Sequence, residues 1–137
     1  MYANMPFDCD GALIRACSRQ LATVVTVTGV LDDANIDRVS QYTKRFVLRE
    51  KPVVLDLGAV SSATPHIVSL LSEMDDACNA AGVDWSLIAS QPVTRAVRTF
   101  DDRLELPTVA TVADALNQFA DAMLERRRLL PLLTKSA

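Results

Sequence analysis

Apolar residues change their spacing several times along the chain, and each change marks a predicted element. Residues 13–18 and 21–29 are dense in apolar and β-branched residues and are separated by two residues, which predicts two strands of an antiparallel hairpin. The apolar run 53–57 follows a proline and is typical of a strand buried on both faces. Residues 84–89 predict another strand, and residues 107–109 predict a short last one.

Two amphipathic helices are predicted on either side of the run 53–57. The first follows the capping candidates of residues 32–35 and turns its apolar side chains to one face. The second, over 67–81, repeats apolar residues at steps of three and four. Thr64 suits its N-cap, and Pro65 suits its first position, where a missing N–H costs nothing.

Gly82 stands where a glycine is expected just beyond the end of that second helix. A shorter helix opens at Ser90 and is expected to turn Phe100 inward. A final helix opens at Thr111, which resembles a capping box, and is expected to bury apolar residues as far as Met123. The order β-β-α-β-α-β-α-(β)-α predicts an α/β fold, with a mixed sheet of four to five strands and about four helices packed on it.

No repeat or linker divides the 137 residues, so one domain is expected. We expect a flexible leader over residues 1–11, the domain over residues 12–125, and a basic, leucine-rich tail over residues 126–137. The three consecutive arginines that begin this tail suit the negative end of a helix, and they fall short of a polybasic membrane signal.

Composition narrows the classes of function. The chain carries 14 basic and 17 acidic residues, a net charge of −3, and only 5% aromatic residues, which argues against nucleic-acid binding. No apolar run approaches the ~20 residues of a membrane span, and the first residues lack the pattern of a signal peptide. We therefore expect a cytoplasmic protein without stable membrane insertion. Three cysteines without paired spacing predict free thiols rather than a disulfide framework or a zinc site.

Catalysis has little support in the sequence. The common nucleotide, zinc-protease and serine-hydrolase motifs are absent. The single histidine, His66, excludes any site that needs two imidazoles from one chain, and Cys78 would lie roughly 18 Å from it along the same helix. Caps and solvated charge explain the adjacent carboxylates at 32–33, 75–76 and 101–102. We predict a protein that is not an enzyme and uses no metal or cofactor.

One segment carries a hint of function. A loop is expected over residues 58–66, which we name the hydroxyl-rich segment. It leaves the C-terminal end of the predicted central strand and enters a helix, which is where open α/β sheets tend to bind ligands. Free backbone N–H groups and the helix dipole are expected to make this an anion site. Ordinary helix initiation explains Thr64 and Pro65 equally well.

Three short motifs follow one another along the chain. They are Val-Thr-Gly-Val-Leu-Asp at 27–32, Val-Val-Leu-Asp-Leu-Gly-Ala-Val at 53–60 and Val-Ala-Asp-Ala-Leu at 112–116. Together with the helix after the hydroxyl-rich segment, they resemble the sulfate transporter and anti-sigma factor antagonist (STAS) domain family from about Leu13 to Met123. The order of these motifs agrees with the predicted order of elements.

The resemblance implies a small bacterial regulator of transcription that binds proteins. In this family an unphosphorylated antagonist captures an anti-sigma factor with serine/threonine kinase activity and frees a sigma factor. Phosphorylation of a Ser or Thr at the start of the helix after the central strand ends the capture. The implied partner is thus an anti-sigma factor or serine/threonine kinase, and we expect a monomer or weak homodimer. The alternative is a module that holds a small anionic ligand, such as a nucleotide or fatty acid, at that helix start.

The chain departs from the family at this switch. Aligned on Val60, the family's Asp-Ser-Ser pattern falls on Thr64, Pro65 and His66, so His66 occupies the phospho-acceptor position. An imidazole is no substrate for a serine/threonine kinase, and we expect the switch to be atypical or lost. His66 as a pH-sensitive or anion-contacting residue is an open alternative. Candidate displaced acceptors are Thr64, Ser61 and Ser62. The expected partner-binding residues are Asp32, Ser61, Ser62, Thr64, His66 and Ser69.

Overall fold

Five strands and four helices make up the part of the chain that the structure, a computed structural model, describes: residues 6–19 and 21–136, with side chains as far as residue 128. The strands are β1 (Phe7–Cys9), β2 (Ala12–Ser18), β3 (Thr23–Leu31), β4 (Val53–Ala63) and β5 (Trp85–Ala89). The helices are α1 (Ile36–Lys44), α2 (Ile67–Ala81), α3 (Gln91–Phe100) and α4 (Val112–Ser136). The predicted α/β class is confirmed, and the order from β2 to α3 is as predicted, whereas β1 is an additional strand and, in the described part of the chain, no strand lies between α3 and α4.

The strands lie side by side in the order β1-β2-β3-β4-β5. β1, β2 and β3 pair antiparallel, and β3, β4 and β5 pair parallel, which confirms the predicted mixed sheet and its hairpin. Parallel pairing brings the C-terminal ends of β3 and β4 to the same edge of the sheet. The loops that follow these two strands are therefore neighbours.

Helices cover both faces of the sheet and bury β4 between them. Leu55 and Leu57 face a large apolar cluster made with α1, α2 and α3, whereas Val54 faces a smaller cluster made with Ala115 and Phe119 of α4. All three β4 side chains are fully buried. The prediction that the run 53–57 is buried on both faces is confirmed.

β4 runs further than the sequence predicts and takes up most of the hydroxyl-rich segment. Its pairing with β3 slips twice, between the pairs Thr26↔Asp56 and Thr28↔Ala59 and again just after Gly29↔Val60. Each slip inserts one extra β4 residue, as β-bulges do, and the strand stays paired to Ala63. The expectation of an open loop over 58–66 is therefore wrong for residues 58–63.

The leader expected over residues 1–11 contains a strand. Phe7–Cys9 pairs with β2 across a two-residue turn, in which Asp10 and Gly11 have positive φ angles of 46° and 104°. Such angles suit the Asp-Gly pair of a tight hairpin, and burial of Cys9 in the core fixes the strand. Residues 1–5 lie outside the described residues.

Helix ends follow the predicted capping residues except at the start of α2. Gly82 ends α2 with a φ of 71°, and the Val83 N–H donates to the Cys78 carbonyl at 3.0 Å. Ser90 accepts from the Val93 N–H at 3.4 Å at the start of α3. Thr111 likewise accepts from the Asp114 N–H at 3.1 Å before α4.

Three expectations near the C-terminal side are corrected: the burial of Phe100, the burial of Met123 and the strand at residues 107–109. Phe100 is 65% exposed and Met123 39% exposed, because each lies beyond the last turn of its helix that packs on the sheet. The predicted strand 107–109 forms a single bridge, Leu87↔Thr108. The backbone of α4 continues to Ser136, past the predicted start of the tail, since arginine and leucine favour a helix.

Candidate functional site

Two loops leave the neighbouring ends of β3 and β4 and meet beside the start of α2. Residues 32–35 follow β3, and residues 64–66 follow β4. The Thr64 N–H donates to the Leu31 carbonyl at 2.9 Å, which ties the second loop to the end of β3. The arrangement places side chains that are more than 30 residues apart in the sequence within hydrogen-bonding distance.

Asn35 anchors the first loop from the protein interior. Its side chain is fully buried, and its amide nitrogen donates to the carbonyls of Cys9, Asp10 and Val30 at 3.1, 3.2 and 2.9 Å. Its side-chain oxygen accepts from the Asp32 N–H at 3.0 Å. One residue thus joins the β1–β2 turn, the end of β3 and the loop before α1.

Asp32 completes the anchoring of this loop. Its carboxylate accepts from the N–H groups of Ala34 and Asn35, both at 3.0 Å, so it caps the turn that precedes α1. The expected partner-binding residue Asp32 therefore directs one carboxylate oxygen at its own loop. Asp33, the next residue, points at the second loop instead.

Asp33, Thr64 and His66 form a hydrogen-bonded group, which we name the Asp33 cluster. The Thr64 hydroxyl donates to Asp33 Oδ1 at 2.5 Å, and His66 Nδ1 lies 2.7 Å from the same oxygen. The Thr64 oxygen in turn accepts from the His66 N–H at 3.3 Å. The side chains of His66 and Asp33 are 67% and 71% exposed, so the group stands on the surface.

The hydrogen bonds from Thr64 and then from His66 hold the pKa of the Asp33 carboxyl below its usual range. A carboxylate can only accept hydrogen bonds, so the proton shared with His66 is carried by Nδ1. Among the described residues, no hydrogen bond reaches the other ring nitrogen, Nε2. The cluster therefore fixes one orientation of the imidazole and leaves its second nitrogen facing outward.

The start of α2 does not offer the free N–H groups expected of an anion site. The His66 N–H donates to the Thr64 hydroxyl, and the next three N–H groups donate to the carbonyls of Thr64, Pro65 and His66 at 3.0 to 3.3 Å. Each bond spans two or three residues, which is typical of a tightened first turn. The regular part of α2 begins after His66, two positions later than predicted, while the Thr64 hydroxyl accepts the His66 N–H as a capping side chain does.

The predicted hydroxyl residues lie around the Asp33 cluster without joining it, except for Thr64. Ser61 is the extra residue of the second bulge, and its hydroxyl donates to the Gly29 carbonyl at 3.1 Å. Ser62 is exposed near the end of β4. Ser69 is exposed in the first turn of α2, three residues after His66 and on the same side of the helix.

Sequence reasoning placed Asp33 and Asn35 only among helix caps. The signal that could have found them is parallel pairing. Residues that directly follow two neighbouring parallel strands meet at one edge of the sheet, so Asp33 after β3 and Thr64 after β4 should have been considered together.

The described residues also form clefts away from the Asp33 cluster. A cleft of about 450 Å³ lies between β5, α3 and residues 101–108, and Arg98, Asp101, Asp102 and Glu105 supply its charges. Within residues 6–19 and 21–136, no group of three or more His, Cys, Asp or Glu residues is placed to hold a metal ion. In the same part of the chain, no helix combines the length and the apolar character needed to cross a membrane.

Known proteins resemble this chain in sequence and in fold. The family model of the STAS domain matches residues 14–115. Osmosensory protein A of Mycobacterium tuberculosis is 42% identical over 139 residues, which cover 98% of this chain and 88% of that protein.

Solved structures share the fold at low identity. An anti-sigma factor antagonist from Mycobacterium paratuberculosis has a TM-score of 0.64 and 20% identity, covering 81% of this chain and 96% of its own. The unphosphorylated form of the anti-sigma factor antagonist SpoIIAA has a TM-score of 0.61 and 12% identity, covering 79% and 96%. A STAS domain protein from Planctomyces limnophilus has a TM-score of 0.63 and 15% identity, covering 78% and 97%.

Proposed function

The chain belongs to the STAS domain family, and we propose that it is a cytoplasmic, non-enzymatic regulator of the anti-sigma factor antagonist type. It captures an anti-sigma factor with serine/threonine kinase activity through residues 61–70, which we name the docking surface. The structural neighbours described as anti-sigma factor antagonists support this choice of partner. The name of the 42% identical relative, Osmosensory protein A, supports osmotic conditions as the signal to which this regulator responds.

The observation that carries the proposal is the exposed, preorganised Asp33 cluster at the start of α2. Family members carry their switch residue at this position. Here the buried side chain of Asn35 anchors one half of the cluster, and β4 with its bulges carries the other half. A surface that is already ordered loses little conformational freedom when a partner docks on it, which favours recognition.

The same geometry supports an atypical or lost serine/threonine switch. The Thr64 hydroxyl already donates to Asp33, and a phosphate on Thr64 would face that carboxylate at hydrogen-bonding distance. The Ser61 hydroxyl is engaged with a strand carbonyl. Ser62 is exposed and is the candidate displaced acceptor that a kinase reaches most readily.

A small anionic ligand is the second candidate, and the geometry disfavours it. The N–H groups at the start of α2 are already bonded, and an anion there would meet the Asp33 carboxylate. In the cleft beside α3, three carboxylates outnumber the single guanidinium of Arg98. A thermal-shift screen with nucleotides and fatty acids tests this candidate, and a clear shift in melting temperature would support it.

The proposed docking surface is tested by capture of partners with the immobilised full chain, followed by mass spectrometry and affinity measurements. We expect an ATP-binding anti-sigma factor among the captured proteins. Ser69→Arg should weaken binding of this anti-sigma factor about 10-fold or more, because the larger side chain obstructs a contact that the complex buries. The matched control is Ala80→Arg, which changes an exposed residue of the same helix eleven positions further on.

Two results would contradict the proposal. One is that no anti-sigma factor binds the chain. The other is that Ser69→Arg and Ala80→Arg bind it equally well. Incubation of the complex with ATP then tests the switch: the absence of phosphate from Ser61, Ser62 and Thr64 is expected if the serine/threonine switch is lost.

A further inference from the structure

His66 has the features of a nucleophilic imidazole. It is the only histidine in the chain, its side chain is 67% exposed, and its Nδ1 lies 2.7 Å from an Asp33 carboxylate oxygen. A carboxylate bonded to one ring nitrogen fixes the tautomer and orients the ring, as in hydrolytic triads and metal sites. In the neutral ring this leaves the lone pair on Nε2, which has no hydrogen-bond partner among the described residues.

We propose that His66 is itself a phosphorylation site, with Nε2 accepting a phosphoryl group from an acyl phosphate. The site lies where the family carries its phosphorylated Ser or Thr, so an imidazole replaces a hydroxyl as the phosphoryl acceptor on the docking surface. The regulatory meaning of this modification rests on the proposed function, whereas the reaction itself does not.

The reaction balances with the groups present and an acyl phosphate donor. The Nε2 lone pair attacks phosphorus, a P–N bond forms, and the bond between phosphorus and the acyl oxygen breaks. Its electron pair leaves with the carboxylate product. No proton moves: Nδ1 keeps its hydrogen, and the ring becomes cationic. The Asp33 carboxylate stabilises this cation, which makes Asp33 a positioning residue for the reaction.

The surroundings accommodate the product. On Nε2 the phosphoryl group would stand across the ring from the Asp33 carboxylate, which lies on the Nδ1 side, and near the start of α2, where the helix dipole favours negative charge although the N–H groups are already bonded. Ser69 is exposed three residues further along the same side of the helix, and its hydroxyl would donate to a phosphoryl oxygen. The added negative charge would change the docking surface in the same sense as phosphorylation of Ser does in the family.

The test is incubation of the full chain with radiolabelled acetyl phosphate. We expect one phosphoryl group per chain, labile in acid and stable in alkali as a P–N bond is, located on His66 by mass spectrometry and lost in His66→Gln. Asp33→Asn should slow labelling about 10-fold. It should also yield a mixture of Nδ1 and Nε2 products in ³¹P NMR spectra, whereas the unaltered chain yields the Nε2 product alone.

Asp37→Asn is the matched control, since this exposed carboxylate lies four residues after Asp33 and makes no hydrogen bond or ion pair with His66. The proposal is overturned if no label forms, if label persists in His66→Gln, or if Asp33→Asn behaves like Asp37→Asn. The partner measurements separate the two proposals. Labelling of His66 without any anti-sigma factor binding would refute only the function, and partner binding by a chain that takes no label would refute only the modification.

Discussion

Replacing Asn35 with alanine should destabilise the fold more than any exposed substitution near the Asp33 cluster. The two amide hydrogens of the buried side chain are shared among three backbone carbonyls, and its oxygen accepts from one backbone N–H. Each hydrogen bond contributes about 1 kcal/mol, and each buried polar group left without a partner costs about 1–3 kcal/mol. Water can reach some of the partly buried partners, so we expect a loss of about 4 kcal/mol in the free energy of unfolding.

Urea denaturation followed by circular dichroism measures this loss. The control is Asn79→Ala, because Asn79 is exposed and makes a single long bond of 3.4 Å to Asp75. This change should leave stability within about 0.5 kcal/mol of the unaltered chain. A loss below about 1 kcal/mol for Asn35→Ala, or equal losses for the two variants, would refute the idea that Asn35 anchors the loop.

Three further measurements probe other parts of the structure. Gly29→Ala should destabilise the fold by about 3 kcal/mol in urea denaturation, because a methyl group there would clash with the Gly11 carbonyl oxygen and Gly29 has a φ of +97°; an unchanged midpoint would contradict this contact. The exposed thiol of Cys17 should react with a thiol reagent in the folded protein, whereas Cys78, whose pKa burial raises to about 11, should react only on unfolding. NMR titration should place the pKa of Asp33 below its usual range and return it towards that range in Thr64→Val. Since the folded-state pKa is lowered, the stability that this carboxylate contributes is present above the usual aspartate pKa and is lost as pH falls through the lowered value.

Strand and helix positions follow from the sequence where one face of an element is buried. The β-branched run before Gly29 and the three- and four-residue steps of α2 each match one periodicity, so local pattern and tertiary packing agree there. β1 escaped prediction because three residues are too few to show a period. The bulges of β4 escaped it because they depend on pairing with β3.

The candidate site depends even more on contacts between distant parts of the sequence, which local patterns do not predict. His66 could be placed at the start of α2 from its neighbours in the sequence alone. Its partner Asp33 could not, since the two are 33 residues apart and meet only through parallel strands. Asn35 has the local character of a helix cap, and its role emerges only from carbonyls up to 26 residues away. Long-range geometry, which one sequence does not display, decided each of these cases.

The order of strands in the sheet has a consequence for how the chain assembles during synthesis. Because spatial order repeats chain order, each strand that leaves the ribosome finds its neighbour already made. The hairpin β2–β3 can form first, β4 can then add to it, and β5 closes the far side last. A nascent chain that ends before β5 would expose the unpaired edge of β4, whose apolar first half is buried in the folded protein, to other chains. The interval between these two strands is therefore when the growing polypeptide is most exposed to aggregation.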